Sequence, residues 1–210
     1  MIFKICGLKK SESLICCEEN NIDFFGMIFY EKSPRNIYYS EAKNLTNIAK
    51  KLKIKPVGVF VNHEINDLKN IISSLNLKYI QLHGDENQFY INEIKKQFNL
   101  KIIKKISINK PNDLNNINIF INIDYLLFDY KPNNNELPGG NSKSFDWSLL
   151  KGQKIDLPWF ISGGINEANI KKIQNLINPN GIDLSSGVEE SPGMKSNAKI
   201  NNLIKKFYEN

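Results

Sequence analysis

Short runs rich in β-branched and aromatic residues recur along the chain at positions 2–6, 24–30, 57–62, 79–83, 101–108, 125–129, 159–162 and 182–185. Between them the apolar spacing lengthens to three or four residues, the period of a helix that lays one face on a sheet. Clear helical stretches are 40–52, 64–76, 86–99, 166–177 and 196–208. The segment 110–121 is dense in asparagine with loose apolar spacing, and a further short helix is expected to begin near Asp146. Eight strands alternating with eight helical segments predict an α/β chain folded as one (β/α)8 barrel domain over residues 1–210. At about 26 residues per unit the chain lies near the lower size for that architecture. An open doubly wound sheet is the alternative, but it usually carries a glycine-rich first turn. Here the paired glycines, Gly139-Gly140 and Gly163-Gly164, lie after the sixth strand and at the seventh.

Composition narrows the class of partner. With 41% hydrophobic residues the chain has material for a full core, and no apolar run approaches the roughly 18 residues of a membrane span. Lys4 interrupts the apolar start, so no secretory core is expected there. Cys6, Cys16 and Cys17 are odd in number and two are adjacent, a poor disulfide framework that fits a reducing cytoplasm. Two histidines argue against a His-rich metal site, and no metal or cofactor is expected. Lys plus Arg number 28 against 22 Asp plus Glu, a net +6. The lysines are scattered in pairs along amphipathic stretches rather than gathered into one stripe, so no nucleic-acid partner is expected. Of the basic residues only Arg35 is arginine. Lysine replaces arginine on a wet surface but not where a planar fork is needed.

A barrel of this kind builds its site where the strands stop. Cys6 ends the first strand and shares a face with Lys4, two residues below; an ammonium there would favour the thiolate and make Cys6 a usable base or nucleophile, although a small buried core cysteine is the plainer reading. Asp129 ends the sixth strand after an apolar run, where its charged form would be disfavoured and its pKa raised, suiting a general acid; a turn or capping aspartate is the alternative. The following stretch, 131–145, is long for a barrel loop and reads as a mobile lid. Arg35, just past the second strand, has the geometry to clamp a carboxylate with two parallel hydrogen bonds. His83 ends the fourth strand on the face of Gln81 and is a candidate substrate contact, whereas His63 and Asp85 read as loop-capping positions. Gly163, Gly164, Ser185, Ser186 and Gly187 lie in the loops after strands seven and eight, the recurrent phosphate site of this fold.

These stretches, in order, resemble the phosphoribosylanthranilate isomerase family of tryptophan biosynthesis. The resemblance is carried by Lys4-Ile5-Cys6-Gly7, Ser33-Pro34-Arg35, Gln81-Leu82-His83-Gly84-Asp85-Glu86, Leu127-Phe128-Asp129, Ser162-Gly163-Gly164 and the stretch from Asp183 to Glu189. It implies an Amadori rearrangement without metal or redox cofactor. Asp129 would be the general acid that opens the furanose ring and Cys6 the general base at ribose C2. It further implies that Arg35 binds the anthranilate carboxylate with Asp183 nearby, and that phosphate sits around Gly164 and Ser185 to Gly187. The implied partner is a small phosphoribosyl substrate, and the implied state a monomer, with a homodimer the alternative. Two positions depart from the family pattern: Ser142 stands where glycine is usual, and Tyr130 is bulkier than the small residue expected after the acid.

Overall fold

The computed structural model describes residues 1–133, 135–140 and 143–209. Eight parallel strands close into a barrel in chain order: β1 (Ile2–Cys6), β2 (Phe24–Phe29), β3 (Lys55–Phe60), β4 (Tyr79–Leu82), β5 (Lys101–Ile108), β6 (Tyr125–Tyr130), β7 (Trp159–Ile161) and β8 (Gly181–Leu184). The closing seam pairs Ile2 with Gly181 and Lys4 with Asp183. Among the described residues six α-helices pack outside: α1 (Ser11–Glu19), α2 (Tyr39–Ala49), α3 (Ile65–Leu75), α4 (Gln88–Gln97), α5 (Ile170–Leu176) and α6 (Asn197–Tyr208). The expected barrel is therefore present, with strand ends within two residues of their expected positions.

The expectation of eight helical segments needs correction at two of them. Where the fifth and sixth helices were expected, the chain makes only 3-10 turns, Pro111–Asn116 and Trp147–Leu150. In the first, Pro111 starts the turn and the Asp113 carboxylate accepts from the Asn109 and Lys110 amides, both at 3.0 Å. The asparagine-rich continuation has no apolar stripe to hold a longer helix on the barrel. In the second, Asp146 caps the Ser148 amide at 3.0 Å, and Trp147 and Leu150 are buried within a single turn. A hairpin absent from the sequence reading, β9 (Glu189–Ser191) with β10 (Met194–Lys195), follows β8.

Alternation along each strand sends successive side chains outward to the helices and inward to the barrel axis. The outward set forms a continuous shell with the helices, including Phe3, Ile5, Phe25, Met27, Ile80, Ile102 and Phe128. The inward set is smaller: Cys6, Phe24, Val57, Val59, Ile103, Leu127 and Phe160 pack together inside. This interior cluster is the floor on which the site stands. Among the described residues no helix is long and apolar enough to cross a membrane.

Candidate active site

One cavity opens at the C-terminal ends of the strands. Its lining includes Cys6, Arg35, Gln81, His83, Asp129, Gly163, Gly164, Asp183, Ser185 and Ser186. Nine of the ten residues selected as site candidates from sequence thus converge on one space. Gly187 does not line it: a Cβ there would lie 1.9 Å from the Ile165 carbonyl oxygen, so Gly187 allows the β7 and β8 loops to touch. His63 and Asp85 lie outside the lining.

The base candidate is crowded from below. Cys6 pairs in register with Gly26, where a Cβ would come within 2.8 Å of Sγ and 3.3 Å of Lys4 Nζ. Glycine on β2 is what lets thiol and ammonium occupy neighbouring space. Lys4 is fully buried and donates to both Asp183 oxygens at 3.0 and 3.1 Å. Burial opposes its charge, but Asp183 and Cys6 outweigh that and raise its pKa. The thiol departs from expectation. Burial, with the Asp183 charge, pushes Cys6 up by more than Lys4 and Lys195 pull it down, which favours the thiol over the thiolate.

The acid candidate departs in the opposite sense. Burial raises the Asp129 carboxyl, yet contact with His83, the nearby Lys105 charge and Ser162 together hold it below the ordinary carboxylate range. His83 Nε2 lies 3.4 Å from Asp129 Oδ2, and the Gln81 side-chain amide donates to His83 Nδ1 at 2.8 Å. With Nδ1 accepting, the neutral ring carries its proton on Nε2, toward the carboxylate. Burial and then Lys105 keep the His83 pKa below its usual value. Asp129 Oδ1 accepts from the Tyr130 amide at 2.8 Å, and the Tyr130 ring faces the cavity with Lys143 Nζ 5.9 Å from its centroid. Ser142, the second departure from the family pattern, lies outside the described residues.

Arg35 is 4% exposed, and its fork is already engaged. Nε and Nη2 donate to Glu189 at 2.8 and 2.7 Å, while Nη1 packs against Gly140. The free clamp expected from the sequence is thus half committed, leaving the Nη1–Nη2 end for a second carboxylate. Glu189 also accepts from Lys195 Nζ at 2.6 Å, and Lys195 donates to the Ser185 carbonyl at 3.1 Å. Sequence reasoning did not single out Glu189, Lys195 or Lys105 as site residues. The signal available for the first two was a charged residue at each end of a segment too short to show a period.

At the anion end, Gly163 and Gly164 have φ of +90° and +65°, turning backbone N–H groups of the β7 loop in a way other residues resist. The Ser185 hydroxyl donates to the Cys6 carbonyl at 3.1 Å, tying the β8 loop to β1. The arrangement offers an anion cradle on one side, an arginine edge on another, and a thiol and a carboxyl between them.

Known proteins match the chain in sequence and in fold. Residues 3–206 match the family model described as N-(5'phosphoribosyl)anthranilate (PRA) isomerase. The N-(5'-phosphoribosyl)anthranilate isomerase of Rhizobium rhizogenes is 42% identical over 203 residues, 96% of this chain and 91% of the relative. The crystal structure of phosphoribosyl anthranilate isomerase from Thermotoga maritima superposes with a TM-score of 0.85 at 30% identity, covering 99% of this chain and 98% of that one. A second solved structure, of phosphoribosyl anthranilate isomerase in complex with reduced 1-(o-carboxyphenylamino)-1-deoxyribulose 5-phosphate, gives 0.82 at 29% identity over 99% and 98% of the two chains. An eight-stranded barrel with this cavity, matched over nearly its whole length, belongs to the N-(5'-phosphoribosyl)anthranilate isomerase family.

Proposed function

We propose that Asp129 and Cys6 are the acid and base of the isomerisation this family catalyses. That reaction converts N-(5'-phosphoribosyl)anthranilate, an aminoaldose, into 1-(2-carboxyphenylamino)-1-deoxyribulose 5-phosphate, a step of tryptophan biosynthesis. Asp129 gives its proton to the furanose ring oxygen as the C1–O bond breaks, and the anilino nitrogen lone pair becomes the C1=N bond of a protonated Schiff base. The Cys6 thiolate then takes the proton from C2. The C2–H electrons form C1=C2, the C1=N electrons return to nitrogen, and the enolamine tautomerises to the ketone.

The observation that carries this reading is the convergence of Cys6 on β1 and Asp129 on β6 upon one cavity, each at an inward position of its strand end. The pair that these surroundings favour, thiol and carboxylate, holds the same single proton as the reactive pair of thiolate and carboxylic acid. Substrate therefore meets an enzyme that needs to move one proton, not gain one. The Arg35 end is the candidate contact for the anthranilate carboxylate, Asp183 flanks it, and backbone groups at Gly163, Gly164, Ser185 and Ser186 are candidates for the phosphate. His83, against Asp129, is read as orienting the acid. One barrel supplies every group in this scheme, which supports the monomer as working unit. Three buried free cysteines support a reducing, cytoplasmic setting.

The experiment is turnover of the fluorescent anthranilate substrate by Cys6→Ala and Asp129→Asn. Each is expected to lower kcat by about 10²–10⁴-fold, the usual worth of one acid or base, while substrate affinity largely survives. A near-parent kcat in either variant removes that residue from its role.

A further inference from the structure

Lys105 is a buried lysine that the proposed chemistry leaves unused. It pairs in register with Leu127, a member of the interior cluster, so its side chain points into the barrel rather than toward the helices. It is 7% exposed. Lys4, Lys104 and Lys195 are also buried, and each touches a carboxylate. Lys105 instead donates to a backbone oxygen, the Pro138 carbonyl, at 3.2 Å. A buried ammonium is costly unless it is paired or hydrogen-bonded, so that carbonyl is held tightly in return.

Pro138 belongs to the loop that follows β6, and its neighbour Gly139 rests on His83 and Asp129. A Cβ on Gly139 would lie 2.5 Å from His83 Nε2 and 3.4 Å from Asp129 Oδ2. Burial lowers the Lys105 pKa, and Lys104 on its own strand adds to that, while Asp129 on β6 and Asp85 and Glu86 after β4 favour its charged form; His83, just past β4, feels it in turn. Asp129 for its part is faced by His83, Lys105 and Ser162. One side chain thus touches the loop and acts on the acid from the same position.

We propose that Lys105 is a positioning residue whose ammonium pins the Pro138 carbonyl, holding the loop over His83 and Asp129, and at the same time steadies the Asp129 carboxylate. The second half rests on the reading of Asp129 as the acid. Once Asp129 has given its proton away, a fixed positive charge beside it is what stabilises the ion left behind.

The test is Lys105→Met, which keeps much of the stem but neither donates nor carries charge. Two quantities are read: amide hydrogen exchange at Gly139 and Gly140 without ligand, and the pH profile of kcat/KM. Exchange at both glycines is expected to be about tenfold faster, the loss of one hydrogen bond from a charged donor. The acid limb of the profile, which follows Asp129, is expected to move up by about one pH unit when an opposite charge is removed. Parent exchange rates in the folded variant, or an acid limb that stays in place, overturn the proposal. Lys105→Gln serves the same two readings if Lys105→Met does not fold. Loop exchange needs no substrate, so it is independent of the acid assignment, whose own failure would show as turnover surviving in Asp129→Asn.

Discussion

On the proposed assignment the base and the acid share one proton, and their surroundings favour the sulfur over the carboxylate as its holder. Burial lifts the Cys6 thiol, and for Asp129 the contacts with His83 and Ser162 and the charge of Lys105 together outweigh burial and depress its carboxyl. The singly protonated site is populated above the Asp129 pKa and below that of Cys6. Activity is therefore expected to rise with pH as Asp129 gives up its proton and to fall as Cys6 does, even though the working form has the proton on Asp129. The measurement is kcat/KM against pH beside a direct titration of the thiolate by its ultraviolet absorbance, taken as a difference from Cys6→Ala. An alkaline limb that does not coincide with the Cys6 titration would show that another group limits the rate. At this scale the positions of Cys6 and Asp129 were legible as strand ends, where a barrel builds its site, while the inward direction of each side chain came from the strand register. Their electrostatics were not, because the decisive neighbours sit on other strands: Lys105 and His83 are 24 and 46 positions from Asp129 in the chain.

At the scale of elements, the strands and the long helices could be read because each repeats its apolar period several times. The hairpin of β9 and β10 could not, since Glu189-Glu190-Ser191 and Met194-Lys195 carry no apolar run, whereas the equally short β7 is Trp159-Phe160-Ile161. Yet this hairpin delivers Glu189 and Lys195 to the mouth of the barrel and so fixes how Arg35 is presented. The fork read from the sequence as a carboxylate clamp is engaged along its Nε–Nη2 edge by Glu189, and its orientation is a property of the hairpin. Glu189→Gln would leave two buried cations, Arg35 and Lys195, facing one neutral amide. Removing one partner of a buried pair costs about 3–5 kcal/mol, so a matching loss in urea unfolding is expected. KM should rise about tenfold with a smaller change in kcat, because the lost contact positions substrate rather than reacting atoms. An unchanged KM would mean that Arg35 holds its orientation without Glu189.

The molecule as a whole is closed by a single seam, and the seam carries a buried ion pair. β1 meets β8 through residues at opposite ends of the chain, with Lys4 opposite Asp183 and 179 positions separating them. Both are buried, 0% and 6% exposed, within a barrel interior that is otherwise largely apolar at that level. Such a pair does not add much over well-packed apolar residues, but either member alone is an uncompensated charge in a poor solvent. It also says why the register holds: a slip at the seam would separate the two charges and send the whole inward set to the wrong face. Lys4→Met and Asp183→Leu are each expected to cost about 3–5 kcal/mol in urea unfolding, and the double variant to recover most of that loss. Additive single losses in the double variant would show that the pair does not act as a unit. Activity should not return with stability, since the double variant still lacks the ammonium that draws Cys6 toward its thiolate. Stability and turnover parting in this way would separate what the pair does for closing the barrel from what it does for the base standing on it.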